Sequence, residues 1–101
     1  MAHIKSFIFV SLVPAQVIHI SMNQTVREGE KLELTCTVKG RQSIPTYVAW
    51  LKDGRVLQND TVKQNYTVSK VRVEDAGEYA CLASNNYGRD QKETSVEVQC
   101  K

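Results

Sequence analysis

A chain of 101 residues with a net charge of +2 and 24% charged residues is long enough for one domain of modest size, and its charge is too evenly balanced for a nucleic-acid-binding surface. Basic residues are interspersed with acidic ones. Lys63, Lys70 and Arg72, the nearest approach to a basic patch, read as an ordinary solvated rim.

The first fifteen residues differ from the rest. His3 and Lys5 precede the apolar run from Phe7 to Val13, and Ala15 offers a small residue before a cut ahead of Gln16. That is the layout of a secretory signal peptide, with an upstream linker as the competing reading for residues 1–15. The run is too short to span a bilayer, so no direct membrane insertion is expected. Residues 16–100 then form the domain. Val17 to Ile20 is a short predicted strand, and Arg27-Glu28-Gly29-Glu30 a polar turn. Leu32, Leu34, Cys36 and Val38 alternate with Lys31, Glu33, Thr35 and Thr37, the period-two pattern of a half-buried strand. Val48 and Trp50 share one face of the next strand, and Lys52-Asp53-Gly54-Arg55 closes it, since Asp-Gly accepts the positive φ of a tight hairpin. Tyr66, Val68 and Val71 mark a further strand and its exit, and Glu74 to Gly77 a single helical turn. There the Asp75 carboxylate can bond backbone amides or pair with Lys63 or Arg72. Tyr79, Cys81 and Ala83 share the inner face of the following strand; after the turn Ser84-Asn85-Asn86-Tyr87-Gly88, Val96 and Val98 share that of the last. No helical periodicity competes.

Four residues organise these strands. Trp50 lies fourteen positions after Cys36, and Cys81 closes the run Asp75-Ala76-Gly77-Glu78-Tyr79-Ala80-Cys81. Two facing sheets need an apolar plug, which a large indole packed against cysteine sulfur supplies. A tyrosine beside the second cysteine can bury its ring and bond a backbone group with its hydroxyl. With Val26-Arg27-Glu28-Gly29, Leu34-Thr35-Cys36, Trp50-Leu51-Lys52-Asp53-Gly54 and Ala83-Ser84-Asn85-Asn86-Tyr87-Gly88, the chain over residues 16–99 resembles the I-set immunoglobulin domains of neural adhesion molecules, receptor ectodomains and muscle proteins. The resemblance implies an all-β, immunoglobulin-like Greek-key β-sandwich of two antiparallel sheets, a Cys36–Cys81 disulfide, a core around Trp50, Tyr79, Leu34 and Val68, and a corner at Asp75 and Gly77. Such a bridge would close a loop worth about 4 kcal/mol in the chain-entropy model and implies an oxidising compartment.

The resemblance also implies a module that binds a protein partner, another immunoglobulin-domain protein among the candidates, with no catalytic centre and no cofactor. The residues agree. His3 and His19 are the only histidines, and neither stands at catalytic or metal-ligand spacing from a serine, cysteine or carboxylate. Three Asn-x-Thr triplets, at Asn23, Asn59 and Asn65, are acceptors for N-glycosylation and favour an extracellular, secreted or cell-surface location. Tyr47, Ala49 and Leu51, with Leu82 beside them, are expected to form an exposed apolar strip available as an interface. Cys100 continues the alternation of Val96 and Val98 and should point to the core side at the domain's end, where it has no intrachain partner. A bond to a second chain, a bond to a further domain and a chain cut at an exon boundary all remain open for it. Two functional classes follow, an extracellular recognition or adhesion module and an intracellular structural module like those of muscle, with Cys36 and Cys81 reduced in the second.

Overall fold

The computed structural model describes residues 14–39, 46–60 and 65–100. The apolar run from Phe7 to Val13, Thr61 and Lys63 lie outside them, as do the side chains of Asn59 and Asp60. The described chain folds into eight strands: β1 (Gln16–Ile20), β2 (Gln24–Arg27), β3 (Leu32–Lys39), β4 (Tyr47–Lys52), β5 (Arg55–Asp60), β6 (Asn65–Val68), β7 (Gly77–Asn85) and β8 (Gly88–Gln99). A single 3₁₀ turn, Val73–Asp75, precedes β7. One sheet has the order β1-β3-β6 and the other β2-β8-β7-β4-β5, the two-sheet sandwich expected for an all-β immunoglobulin-like fold.

Alternation along β3 drives the packing. Leu32, Leu34 and Cys36 are buried while Glu33 and Thr37 face solvent. From the opposite sheet come Val48 and Trp50 of β4, and Tyr79, Cys81 and Ala83 of β7, all in one core with Val17, Val71 and Val96. Trp50 is fully buried and lies directly across from Cys81 in the β4–β7 register. Cys36 and Cys81 are bonded, with their Cα atoms 6.4 Å apart, and tie the two sheets together. Val68 packs against this core but is only partly buried, because β6 is the outer strand of its sheet.

Several elements depart from the sequence expectation. The segment read as leading only into a polar turn contains β2, which runs parallel to β8, so the five-stranded sheet is mixed rather than purely antiparallel. Side chains guide this crossing between sheets. Ser21 Oγ accepts from the Thr35 amide at 2.6 Å as the chain leaves β1, and Asn23 Oδ1 accepts from the Ser95 amide at 3.0 Å as it reaches β8. Ala15, grouped with the leader, is buried in the core, and a cut before Gln16 would remove it. The helical turn begins at Val73, one residue earlier than expected. Cys100 follows the end of β8 and is exposed; the alternation that would have turned it inward stops with the strand at Gln99.

The turn between β4 and β5 has φ of 49° at Asp53 and 86° at Gly54, the double positive φ that Asp-Gly accommodates in a two-residue hairpin. Asp53 also reaches across to β7, its amide donating to the Glu78 carbonyl at 2.9 Å and its carboxylate accepting from the Glu78 amide at 3.2 Å. A Cβ on Gly77, where φ is 150°, would come within 2.9 Å of that carboxylate, so this corner requires glycine.

Candidate interaction surface

Strands β4, β7 and β8 turn alternate residues outward from the five-stranded sheet. Ala49 faces Leu82, Leu51 faces Ala80 and Tyr47 faces Ser84 across β4–β7, and Leu82 faces Gln91 across β7–β8. Tyr47 is 51% exposed, and Leu51 and Leu82 are half-buried. Ala49, expected to be exposed with them, is buried, with only 8% of its surface exposed. Its methyl group barely rises above a strand flanked on both sides, and the longer side chains around it take the solvent. The apolar strip therefore consists of Tyr47, Leu51 and Leu82, with Ala49 as its floor. Beside it a shallow cleft of about 470 Å³ is lined by Leu51, Leu82, Arg89, Asp90 and Gln91, so the apolar pair is rimmed by one cation, one carboxylate and one amide. This mixture of apolar centre and polar border suits protein contact.

A second cleft was not anticipated. It opens at the side of the sandwich between β5 and β6, holds about 450 Å³, and is lined by Val56, Leu57 and Tyr66 with two cations, Lys52 and Arg55, and two carboxylates, Asp53 and Asp75. Sequence reasoning missed it because β5 breaks its alternation. Trp50 faces Gln58 while Leu51 faces Val56, which leaves Leu57 as an extra residue, and Val56 and Leu57 are both exposed. Two consecutive apolar residues just after the Asp-Gly turn were the available signal.

The corner behind this cleft is closed by Tyr79. Its hydroxyl donates to the Asp75 backbone carbonyl at 2.6 Å, while the Asp75 carboxylate accepts from the Arg72 amide at 2.7 Å and fixes the 3₁₀ turn. The carboxylate thus caps backbone, as one of the sequence alternatives had it. The rings of Tyr66 and Tyr79 lie 6.1 Å apart in a tilted pair. Burial, and after it the negative charge of Asp75, pushes the Tyr79 hydroxyl up to about 12; the same two causes raise Tyr66. Of the sequon asparagines, Asn23 and Asn65 are exposed. Asn23 is already bound through Oδ1 to β8, and Asn65 begins the outer strand β6. Among the described residues no group of three or more His, Cys, Asp or Glu side chains is gathered to hold a metal, and no helix is long and apolar enough to cross a membrane.

This sandwich, with its bonded cysteines, buried indole and tyrosine corner, is an immunoglobulin fold. Residues 15–98 match the immunoglobulin I-set domain, and the chain belongs to that family. It is similar to mouse vascular endothelial growth factor receptor 2, at 33% identity over 98 residues, covering 90% of this chain and 7% of the receptor. It is also similar to human hemicentin-1, at 39% identity over 106 aligned positions, covering 93% of this chain and 2% of hemicentin-1. Among solved structures, a complex of titin M10 with obscurin-like 1 superposes with a TM-score of 0.76 at 26% identity, over 88% of this chain and 97% of that one. The chain thus spans only a small fraction of the curated relatives it matches.

Proposed function

We propose that this chain is one immunoglobulin module of a larger receptor or adhesion ectodomain, exposed at the cell surface or secreted, and that it works by binding another protein rather than by catalysis. The observation that carries this reading is the buried Cys36–Cys81 disulfide, because structural disulfides persist in oxidising compartments and are rare in the cytosol. The three sequons and the likeness to receptor and adhesion proteins support it. The partner, itself of immunoglobulin fold in the simplest case, docks on the strip of Tyr47, Leu51 and Leu82. Cys100, exposed beyond β8, is a second point of assembly, through a disulfide to another copy.

The likeness to the titin complex favours a second reading, an intracellular structural module with both core cysteines reduced. The thiol state in the natural source separates the two. Protein extracted under acidic trapping conditions and digested without reduction should yield the peptides bearing Cys36 and Cys81 as one linked pair. Recovery of both as free, alkylated thiols overturns the extracellular reading and supports the intracellular one.

A further inference from the structure

Four of the described strands are the outer ones of their sheets, and three of these carry a device that discourages pairing with another chain. β1 has a register irregularity between Val17 and His19, leaving Ile18 as an extra residue. β5 has its own at Leu57. β2 ends in the exposed charge of Arg27. Bulges, short strands and edge charges are the usual means of blunting an open sheet edge. β6 is as short as β2, at four residues, but it has neither bulge nor charge. It pairs with β3 in unbroken antiparallel register from Leu32–Val68 to Thr35–Asn65, and its sequence Asn-Tyr-Thr-Val contains an aromatic and two β-branched residues, which favour strands. Among the described strands none pairs with its outer side. One acceptor there is occupied, since Gln58 Nε2 donates to the Asn65 carbonyl at 2.9 Å.

This same strand is an N-glycosylation acceptor. Asn65 and Thr67, the two residues that define the sequon, stand two apart on β6. Both are exposed, while Tyr66 and Val68 between and after them turn inward. We propose that Asn65 carries an N-linked oligosaccharide that blocks the outer edge of β6, and that this glycan is the edge protection that the strand's own sequence lacks. The inference rests on the extracellular reading above. In the modification the Asn65 amide nitrogen attacks the anomeric carbon of an oligosaccharide held on a polyisoprenyl diphosphate. A C–N bond forms, the bond from carbon to the diphosphate oxygen breaks, the lipid diphosphate leaves with the electron pair, and one amide proton passes to a base of the transferase. Asn65 keeps its backbone in the sheet, because only its outward side chain is altered. A branched sugar rooted at the first residue of a four-residue strand covers the whole length along which a foreign strand would have to lie.

The test uses the full chain with Cys100→Ser, which removes disulfide dimers from the comparison, and a heterologous secretion signal, so that the acceptor is presented to the transferase wherever the natural protein resides. The peptide spanning Asn65 should carry hexose and N-acetylhexosamine mass in the secreted protein, which should elute as a monomer. Asn65→Gln and Thr67→Ala each destroy the sequon by a different route, and both should lose that mass and shift toward dimers and larger species as concentration rises. Thr25→Ala, which destroys the Asn23 sequon but keeps the Asn23 bond to the Ser95 amide, should not associate. The same Cys100→Ser chain refolded from bacteria carries no glycan and serves as the comparison if a variant is not secreted. An unmodified Asn65 overturns the proposal. So does a glycan whose loss leaves the chain as monomeric as before. Either result with Cys36 and Cys81 still linked in the natural protein leaves the extracellular reading standing.

Discussion

Replacing Tyr79 with Phe isolates the corner bond, because the ring is fully buried and stays so, while the single group lost is the hydroxyl that donates to the Asp75 carbonyl at 2.6 Å. A hydrogen bond of this kind contributes roughly 0.5–1.5 kcal/mol net, and an acceptor stranded out of reach of water raises the loss to about 1–3 kcal/mol. Asp75 is only partly buried, so water can reach its carbonyl, and a loss of about 1 kcal/mol is expected. For a domain of this size that lowers Tm by about 4–8 °C. The bond also leaves a mark in alkali. With the Tyr79 hydroxyl raised from 10.0 to about 12, chiefly by burial and then by the Asp75 charge, the folded chain holds a proton that the unfolded chain has released in that interval. The stability this gives is complete below about pH 10 and disappears as pH climbs toward 12. Tyr79→Phe should flatten the decline, leaving the smaller slope due to Tyr66, whose hydroxyl is also raised. Urea unfolding across this range, in the Cys100→Ser background to prevent thiolate attack on the disulfide, measures both effects. Equal stability of the two forms at neutral pH, or an identical alkaline slope, would refute the corner argument.

Trp50→Ala should cost about 3–5 kcal/mol in urea unfolding, because it empties the space beside the disulfide where the indole is fully buried; a loss below about 1 kcal/mol would mean that Trp50 is not the plug. Cys100→Ser should abolish any disulfide-linked dimer on non-reducing electrophoresis and leave Tm nearly unchanged, since Cys36–Cys81 is untouched; a dimer that persists in the variant would remove Cys100 from assembly. Leu82→Asp, on the half-buried outward face, should weaken binding to a protein partner at least tenfold in titration against ectodomains that bind the wild type, because a charge in an apolar interface centre must be desolvated. Unchanged affinity would move the docking surface elsewhere.

The core was legible in the sequence because it depends on residues whose chemistry admits few roles. Cys36, Trp50, Tyr79 and Cys81 stand at intervals set by strand lengths, and the alternation through Leu32, Leu34 and Cys36 gives the inward face without ambiguity. What escaped was decided by contacts between distant segments. β2 is a strand because β8 is alongside to receive it and Asn23 anchors it there; its own four residues, Gln-Thr-Val-Arg, announce little. Leu57 breaks the period of β5, so Val56 and Leu57 reach solvent together and the cleft at the side could not be read from a pattern of two. Ala49 illustrates a third limit. Its phase was read correctly, yet a methyl group between flanking strands is covered whichever way it points.

The alternation that made the core legible also separates stability from recognition. Along β4, Trp50 turns into the sandwich while its neighbours Ala49 and Leu51 turn out. Along β7, Cys81 and Ala83 are buried on either side of half-buried Leu82. Changes at the outward positions therefore alter a surface without opening a cavity, and changes at the inward ones empty the core without touching the surface directly. The inward set is constrained by an indole, a disulfide and close packing, so it reports the fold and is indifferent to the partner. The outward set is constrained by whatever it meets. A family defined by its inward residues can therefore bring this chain close to domains of vascular endothelial growth factor receptor 2, hemicentin-1 and the titin M10–obscurin-like 1 complex alike, and the proposed docking face, Leu51 and Leu82 with the rim of Arg89, Asp90 and Gln91, lies apart from the residues that identify the fold.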